Sequence, residues 1–366
     1  MRGASEAPRT GLLLINLGTP VSPATRDVRT YLREFLSDPR VIDVPAHKRW
    51  LVLNLFILPF RPRQSGEAYS KIWTPSGSPL LIHGLALRDK VRERLGPAIA
   101  VELGMRYGRP SIRAALGELV RAGVERVVVF PLYPQYSSAA TGSSLECVFA
   151  EAGRLQNTPY LQIVPPFYDH PAFLSACARV ARPFVDPARH EIVFFSFHGL
   201  PERQVRKSDP TGTHCLASED CCERESTARR FCYRAQCRAT ARLLADALGV
   251  PEARRMIVFQ SRLGRDPWIG PQTDLVLAEK ARQGIRRAAI LSPAFVADCL
   301  ETLEELGLRG RKTWLDHGGE TLDVVPCLNA DDAWADAAVR IARDSCPWLG
   351  GAARAEPRAV AQGEPR

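Results

Sequence analysis

An apolar run in the middle of the chain constrains the fold more than any other feature. Residues 192–195 are Ile-Val-Phe-Phe, a β-branched and aromatic run typical of a strand buried on both faces of a parallel sheet. The run ends at His198, and Gly199 and Pro201 then break it. Ligands of open α/β sheets bind beyond the carboxyl ends of the strands, so His198 lies at a candidate functional edge. Taken alone, it also fits a histidine that only caps a strand.

Apolar runs of the same kind recur along the chain and alternate with helical patterns. They lie at residues 11–16, 99–105, 124–132, 192–195, 255–259, 287–291 and 321–325. This alternation is typical of an α/β fold with parallel, doubly wound sheets. The pattern starts again after residue 190, so we expect two Rossmann-like lobes, 11–165 and 166–345, whose parallel sheets face a central cleft. Residues 350–366 are rich in Gly, Ala, Pro and Arg without periodicity, which predicts a disordered tail.

Composition and charge narrow the possible functions. The 366 residues are 45% hydrophobic and 24% charged, which is an ordinary globular composition. The formal charge of +9 favours anionic ligands or a membrane surface. No block of Lys and Arg is interleaved with aromatic residues, so we expect no nucleic-acid partner. The apolar stretch near residue 11 is too short for a signal peptide. We therefore expect a cytoplasmic protein whose ten cysteines are reduced or metal-bound.

The longest apolar run, residues 50–60, lies in a segment (41–63) that fits two interpretations. The run is about half as long as the ~20 residues of a membrane-spanning helix, so we do not expect it to cross a bilayer. It is either a buried helix or an apolar lip that touches a membrane or a greasy ligand. Arg61 and Arg63 would form the basic rim of such a lip. Peripheral membrane contact is therefore an open expectation.

Carboxylates follow the next-to-last predicted strand. The pattern predicts a helix that begins near Ala297, and Asp298, Glu301 and Glu305 then lie on one of its faces. Such a run is usually a solvated acidic face. Here it follows a strand at the same sheet edge as His198. A histidine on one wall and carboxylates on the other form an N/O site for a divalent metal, or a base with a proton relay.

A long loop, residues 260–274, lies between these two stretches. It contains several Gly and Pro residues and Trp268, more than a simple connection needs. It is either an ordered Ω-loop or a wall that presents Trp268 to a flat ligand.

Six motifs, taken together, resemble the ferrochelatase family. They lie at residues 14–20, 105–108, 134–137, 196–201, 260–274 and 298–305, and the resemblance extends from about residue 11 to about residue 342. It implies a porphyrin cleft between two Rossmann-like lobes. It also implies insertion of Fe²⁺ into a porphyrin with release of two protons, the terminal step of heme synthesis. Protoporphyrin IX is the expected porphyrin, with coproporphyrin left open.

The resemblance also implies roles for single residues. His198 matches the family's histidine and Glu301 the glutamate that partners it, both at the substrate iron. Asp298 and Glu305 match an acidic path that leads away from the site. The positions that match porphyrin-facing or metal-facing walls are Leu17, Tyr69, Arg106, Tyr136, Trp268 and Phe295. Many relatives have histidine where this chain has Cys299, so a base or ligand there is not expected. Whether His198 is chiefly the base or an early iron ligand stays open.

The segment 211–237 departs from the short bacterial pattern as a cysteine-rich insertion. Half of the ten cysteines fall within it. In a cytoplasmic chain this density favours a metal over disulfides. Since some ferrochelatases carry a [2Fe–2S] cluster on four thiolates, we expect such a cluster first, zinc second and free thiols third. The expected ligands are Cys215, Cys222, Cys232 and Cys237, with Cys221 as the alternative to its neighbour.

Two other functions remain compatible with these residues. One is a cobalt chelatase for a different tetrapyrrole, and the other is a non-catalytic porphyrin or heme carrier. An enzyme turns over many equivalents of porphyrin and metal, whereas a carrier stops at one.

Overall fold

The computed structural model describes residues 9–350 except 263 and 265, and its strands form two sheets. The first sheet has the order β2-β1-β3-β4, with β1 (Thr10–Thr19), β2 (Ile99–Gly108), β3 (Arg126–Pro131) and β4 (Tyr160–Ile163). The second has the order β6-β5-β7-β8, with β5 (Ile192–His198), β6 (Arg255–Gln260), β7 (Arg287–Leu291) and β8 (Thr321–Val324). All neighbours are parallel. The shared strand order confirms the predicted α/β fold with two parallel, Rossmann-like sheets.

Helices connect the strands in both halves. In the first half they are α1 (Thr25–Ser37), α2 (Ala46–Leu51), a π-helix (Val52–Ile57), α3 (Arg61–Ile72), α4 (Pro79–Leu95), α5 (Ile112–Arg121), a short π-helix (Ser138–Gly142), α6 (Ser143–Gly153) and α7 (Pro171–Ala181). In the second half they are α8 (Glu202–Lys207), α9 (Tyr233–Leu248), α10 (Thr273–Arg282), a π-helix (Glu301–Gly310), α11 (Arg311–Asp316) and α12 (Asp332–Ser345). Three 3₁₀ turns lie at Thr227–Arg230, Glu252–Arg254 and Pro347–Leu349.

The apolar runs are strands because both of their faces are buried. In β1, Leu12 and Leu14 pack into one core, whereas Leu13 and Ile15 pack into another on the opposite face. Successive side chains of a strand point to opposite faces, so a run covered by helices on both sides is continuously apolar. In β5 the same alternation places Phe194 in one core and Phe195 in another, on the opposite face of the sheet.

The last helix, α12, packs on the core of the first sheet. Trp334 is fully buried there, and its ring lies 6.0 Å from Phe167 and 6.1 Å from Phe173, centroid to centroid. The predicted lobe boundaries place α12 in the second lobe, yet its apolar face covers the first. The helix thereby ties the end of the second lobe to the first.

Three local elements differ from the expectations. Strand β4 has no apolar run, because it is a short edge strand whose Tyr160 is 68% exposed. The sequence of residues 69–81 predicts a loop, but residues 69–72 end α3 instead. The helix predicted from Ala297 begins instead at Glu301 and is a π-helix. Residue 298 precedes that helix, which is wound with i→i+5 bonds, so Asp298, Glu301 and Glu305 do not form the expected common face.

In the segment 41–63, residues 46–57 and 61–63 are helical, and the segment has a buried face and an exposed face. Leu53 and Ile57 are 3% and 9% exposed and pack inward, whereas Trp50, Phe56 and Phe60 are 61%, 68% and 72% exposed. The buried-helix interpretation therefore holds only for the inner face, and the outer face is an apolar surface. Within the described residues, no helix is long and apolar enough to cross a membrane.

Candidate active site

One cavity collects six of the ten residues predicted for the porphyrin and iron site. It measures about 1300 Å³ including its open mouth and lies between the two sheets. From the first half come the end of β1 and the segment after β3. From the second half come the end of β5, Trp268 and residues 294–297 and 299–301. The carboxyl ends of both sheets therefore open onto one slot, as expected for a ligand site of an α/β fold.

His198 is the last residue of β5, and hydrogen bonds hold both its imidazole ring and its main-chain carbonyl. Its Nδ1 lies 2.6 Å from the carbonyl oxygen of Gly199. A carbonyl only accepts, so Nδ1 carries the proton and Nε2 the lone pair. The His198 carbonyl oxygen accepts a hydrogen bond of 2.8 Å from the hydroxyl of Tyr233. His198 thus offers a fixed, basic nitrogen at the cavity wall.

Two aromatic rings flank this histidine. The centroid of its imidazole lies 6.3 Å from Trp268 and 6.4 Å from Phe295. All three line the cavity, as do the predicted Leu17 and Tyr69. The predicted loop 260–274 therefore does supply a wall through Trp268. The resulting surface suits a flat, apolar ligand.

Glu301 faces the same cavity from the start of the π-helix. Its main-chain oxygen accepts a hydrogen bond of 3.1 Å from Gln260, the residue paired with His198 in the β5–β6 ladder. Burial raises the pKa of Tyr69, and the nearby Glu301 carboxylate raises it further. These contacts place a carboxylate, a phenol and the imidazole around one space.

Glu305 lies beyond the cavity wall, behind Glu301. Its carboxylate accepts hydrogen bonds from the Ser261 amide (2.9 Å) and hydroxyl (2.5 Å). Burial raises the pKa of Glu305. The Ser261 hydroxyl opposes this shift, the Glu301 charge adds to it, and His198 opposes it. Glu301 and Glu305 therefore interact electrostatically, and a carboxyl with a raised pKa is suited to hold a proton.

Asp298 is buried away from the cavity wall. One carboxylate oxygen accepts from Thr302 (2.8 Å) and from the Cys327 amide (3.3 Å), and the other accepts from Asn329 (2.7 Å). Both oxygens are therefore occupied in anchoring the segment that leads into Glu301.

Two predicted wall residues also point elsewhere. Arg106 donates to Asp38 (2.6 Å) and to the Ser143 hydroxyl (2.6 Å), and it does not line the cavity. Tyr136 is outside the wall as well, and its amide donates to Gln236 at 2.7 Å. These two residues brace the walls from behind.

Other cavity residues carried no signal that sequence reasoning used. Tyr31 occupies an apolar position of a helical pattern, and Tyr233 lies at the edge of the cysteine-rich insertion. Cys299 lines the cavity beside Glu301, and burial raises the pKa of its thiol. Aromatic and thiol side chains serve equally well in a core, so only the fold reveals that these three meet a cavity.

The cysteines of the insertion lie together in the core of the second lobe. All five are buried: Cys215, Cys221, Cys222, Cys232 and Cys237. The sulfurs of Cys221 and Cys222 are 4.0 Å apart. A hydrogen bond with Cys232, together with burial, raises the pKa of Cys222. Asp209 opens the segment by accepting the amides of His214 and Cys215, each at 2.8 Å, and so turns Cys215 inward.

The thiol chemistry of this group fits a thiolate-bound metal centre, but the side chains are not arranged as a ligand set. In the part of the chain that the structure describes, no three His, Cys, Asp or Glu side chains are placed to hold a metal ion. Arg234 lies against the sulfurs, 3.7 Å from Cys221 and 3.9 Å from Cys222. A cation at this position stabilises thiolate charge.

Two parallel sheets of one topology open onto a shared slot that His198 and Glu301 both line, and this is the two-lobed α/β fold of the class II chelatases. The sirohydrochlorin chelatase SirB from Bacillus subtilis subspecies spizizenii has this fold, with a TM-score of 0.53 at 10% identity over 93% of this chain and 96% of that one.

Sequence relatives then identify the family. The ferrochelatase family matches residues 9–345. A ferrochelatase from Azotobacter vinelandii is 47% identical over 91% of this chain and 98% of its own length. One from Coxiella burnetii is 44% identical over 92% and 94%. The chain belongs to the ferrochelatase family, as the resemblance implied, and is an enzyme of that type.

Proposed function

We propose that this chain inserts Fe²⁺ into protoporphyrin IX at the cavity, with release of two protons, and so completes heme synthesis. The observation that carries the proposal is the fixed tautomer of His198. Its Nδ1 is bonded to the Gly199 carbonyl, so a bare Nε2 is available in a cavity that Glu301 also lines. Insertion needs an acceptor for the pyrrole protons, and the unprotonated nitrogen of a neutral imidazole is such an acceptor.

The carboxylates behind His198 supply a route for the released protons. Each Fe²⁺ that enters displaces two N–H protons, so the site must clear them at every turnover. We assign Glu301 to take protons from the cavity side and Glu305 to pass them toward the Ser261 loop. The raised pKa of Glu305 supports this role. Asp298 contributes to the path by fixing the backbone before Glu301.

The aromatic walls serve to bend the macrocycle. A flat porphyrin hides its nitrogens in the ring plane, so the ring must pucker for iron to enter. Trp268 and Phe295 flank His198 on one wall, while Leu17 and Tyr69 come from the first half of the chain. Binding energy from such walls supplies about 1–5 kcal/mol of strain.

A turnover assay tests this function. Protein at a known concentration is mixed anaerobically with excess Fe²⁺ and either protoporphyrin IX or coproporphyrin, and heme absorbance is followed. We expect many equivalents of heme from protoporphyrin IX. Product that stops at one equivalent would indicate a carrier. Faster turnover with coproporphyrin, or with Co²⁺ and another tetrapyrrole, would replace the proposed substrate.

We also propose that four cysteines of the insertion bind a [2Fe–2S] cluster: Cys215, Cys222, Cys232 and Cys237, with Cys221 as the alternative to Cys222. Their burial in one core and the contact between Cys222 and Cys232 support this. When bound, such a cluster crosslinks the segment and can carry an electron.

We expect anaerobically purified protein to be coloured and to contain iron and acid-labile sulfide in equal amounts. Serine variants of Cys221 and Cys222, made singly, show which of the two is a ligand, because only the ligand variant loses the visible absorption. Cys147→Ser, outside the insertion, serves as the matched control. Colourless protein that holds only zinc would contradict the cluster.

We propose further that the outer face of segment 41–63 docks on a membrane from its cytoplasmic side. The inner face of this lip packs against Phe35, which lines the cavity, so a docked lip places the cavity near the lipid. Exposed Trp50, Phe56 and Phe60 supply the apolar contact.

Co-sedimentation with phosphatidylglycerol and phosphatidylcholine vesicles checks this docking. Replacing Trp50 and Phe56 with serine removes about 1.5–3 kcal/mol of apolar burial per side chain, so vesicle binding falls by at least about tenfold. Phe149→Ser removes an exposed ring on α6 and is expected to leave binding unchanged. Equal loss in both proteins would contradict docking through the lip.

A further inference from the structure

The peptide between His198 and Gly199 lies beyond the last hydrogen-bonded pair of the ladder on one side of β5. The Gly199 amide donates to the Gln260 carbonyl of β6 at 2.7 Å. A trans peptide points its C=O opposite to its N–H, so the His198 carbonyl points away from β6. On the other side of β5, the register with β7 ends at Phe195 and Leu291. The strand therefore leaves this carbonyl without a ladder partner.

The hydroxyl of Tyr233 takes the place of that partner. It donates to the His198 carbonyl oxygen at 2.8 Å, and its ring is buried at the cavity wall. A buried carbonyl without a partner costs about 1–3 kcal/mol, so this bond, together with the bond from the Gly199 amide to Gln260, fixes the orientation of the peptide next to the imidazole. Tyr233 is thus the side chain that supplies the missing hydrogen bond to the main chain of the candidate base, His198.

Tyr233 is also the first residue of α9, which starts at the cysteine-rich insertion. Cys232 precedes it as the N-cap residue, and Cys237 lies one turn along the helix. Tyr233 and Cys237 are four positions apart, so the two side chains lie on the same face of α9, and both pack in the core that contains Cys222. The Tyr233 phenol therefore bonds the His198 peptide, while its ring packs in the same core as the buried thiols.

The rest of α9 is clamped to the opposite wall of the cavity. Gln236 accepts from the Tyr136 amide at 2.7 Å, and Thr240 accepts from the Gln135 side chain at 2.9 Å. The helix therefore contacts both halves of the slot. Because these contacts hold the rest of the helix in place, a change at its first turn moves Tyr233 rather than the whole helix.

We infer that Tyr233 is a positioning residue for His198 and is the link through which the cysteine-rich insertion acts on the cavity. This inference rests on the proposed role of His198 in iron insertion. Tyr233→Phe removes one hydrogen bond and keeps the ring. We expect kcat to fall by about 3–10-fold, the value of one net hydrogen bond, while KM for the porphyrin changes less than about twofold. Tyr160→Phe, on an exposed edge strand, is the matched control and leaves both constants unchanged.

A second readout does not depend on turnover. The chain has three His-Gly pairs, at residues 83–84, 198–199 and 317–318. Protein labelled with ¹³C-carbonyl histidine and ¹⁵N glycine therefore gives three carbonyl–amide NMR cross-peaks. The peak that is lost in His198→Ala is the one from 198–199. We expect Tyr233→Phe to move this peak and to leave the other two in place, so they report on the fold of the same sample.

The link to the insertion is tested by a double-mutant cycle on the same peak. Cys237→Ala is expected to move the 198–199 peak in the parent protein and to leave it in place in Tyr233→Phe. A peak that moves equally in both backgrounds would overturn the link. An unmoved peak in Tyr233→Phe, or movement of all three peaks, would overturn the positioning role. If the parent protein makes no heme, the proposed function fails, while the peak shifts still decide the role of Tyr233.

Discussion

Replacement of His198 with alanine is expected to reduce kcat for iron insertion by about 10²–10⁴-fold, the contribution of a positioned general base. The substitution removes Nε2, whose lone pair is free because the Gly199 carbonyl keeps the ring proton on Nδ1. Porphyrin binding is expected to persist, because Trp268 and Phe295 still form the aromatic wall. Initial rates of heme formation and quenching of porphyrin fluorescence measure the two effects separately.

Added imidazole sharpens the His198 experiment. It is expected to restore part of the rate in His198→Ala, since a small base can occupy the vacated space. His317→Ala is the matched control, because that side chain only bonds the Thr313 carbonyl of α11 at 2.8 Å. Near-normal turnover by purified His198→Ala would overturn the assignment. Loss of porphyrin binding without a change in kcat would make His198 a wall residue only.

The strands could be predicted because a strand that is buried on both faces needs a continuous run of apolar residues. Leu12 and Leu13 enter cores on opposite faces of β1, so both must be apolar. Tyr160 of β4 is exposed, since β4 is an edge strand that pairs on one side only. The sequence of β4 therefore has no continuous apolar run. Prediction therefore succeeds where a strand is covered on both faces and fails at the edge of the sheet.

The candidate site was predictable only in part, for a similar reason. His198 and Glu301 follow strand ends, which sequence can locate, and both line the cavity. Arg106 lies near the end of β2, but its guanidinium pairs with Asp38, some seventy positions earlier in the chain. Tyr233 reaches the site from the first turn of a helix that begins within the insertion. Contacts between distant segments decide which way these side chains point, and local patterns do not contain them.

Glu301→Gln is expected to reduce kcat by about 10²–10³-fold while the porphyrin still binds. The amide keeps the shape of the carboxylate but neither carries its charge nor accepts a pyrrole proton. The fold is expected to be retained, because the contact with Gln260 uses the main-chain oxygen of residue 301. Glu279→Gln, on the exposed face of α10, is the matched control. Unchanged turnover in Glu301→Gln would remove the carboxylate from the reaction.

The same variant tests the proposed proton path through Glu305. The charge of Glu301 is one of the causes that raise the pKa of Glu305, after burial itself, so its removal lowers that pKa. The sign follows because a neighbouring negative charge disfavours a second one. A ¹³C-carboxyl NMR titration of the glutamates, with Glu305→Gln to assign the signal, should show Glu305 releasing its proton at lower pH in Glu301→Gln. An unchanged titration would mean that the two carboxylates do not sense each other, and protons would then leave the cavity by a route that bypasses Glu305.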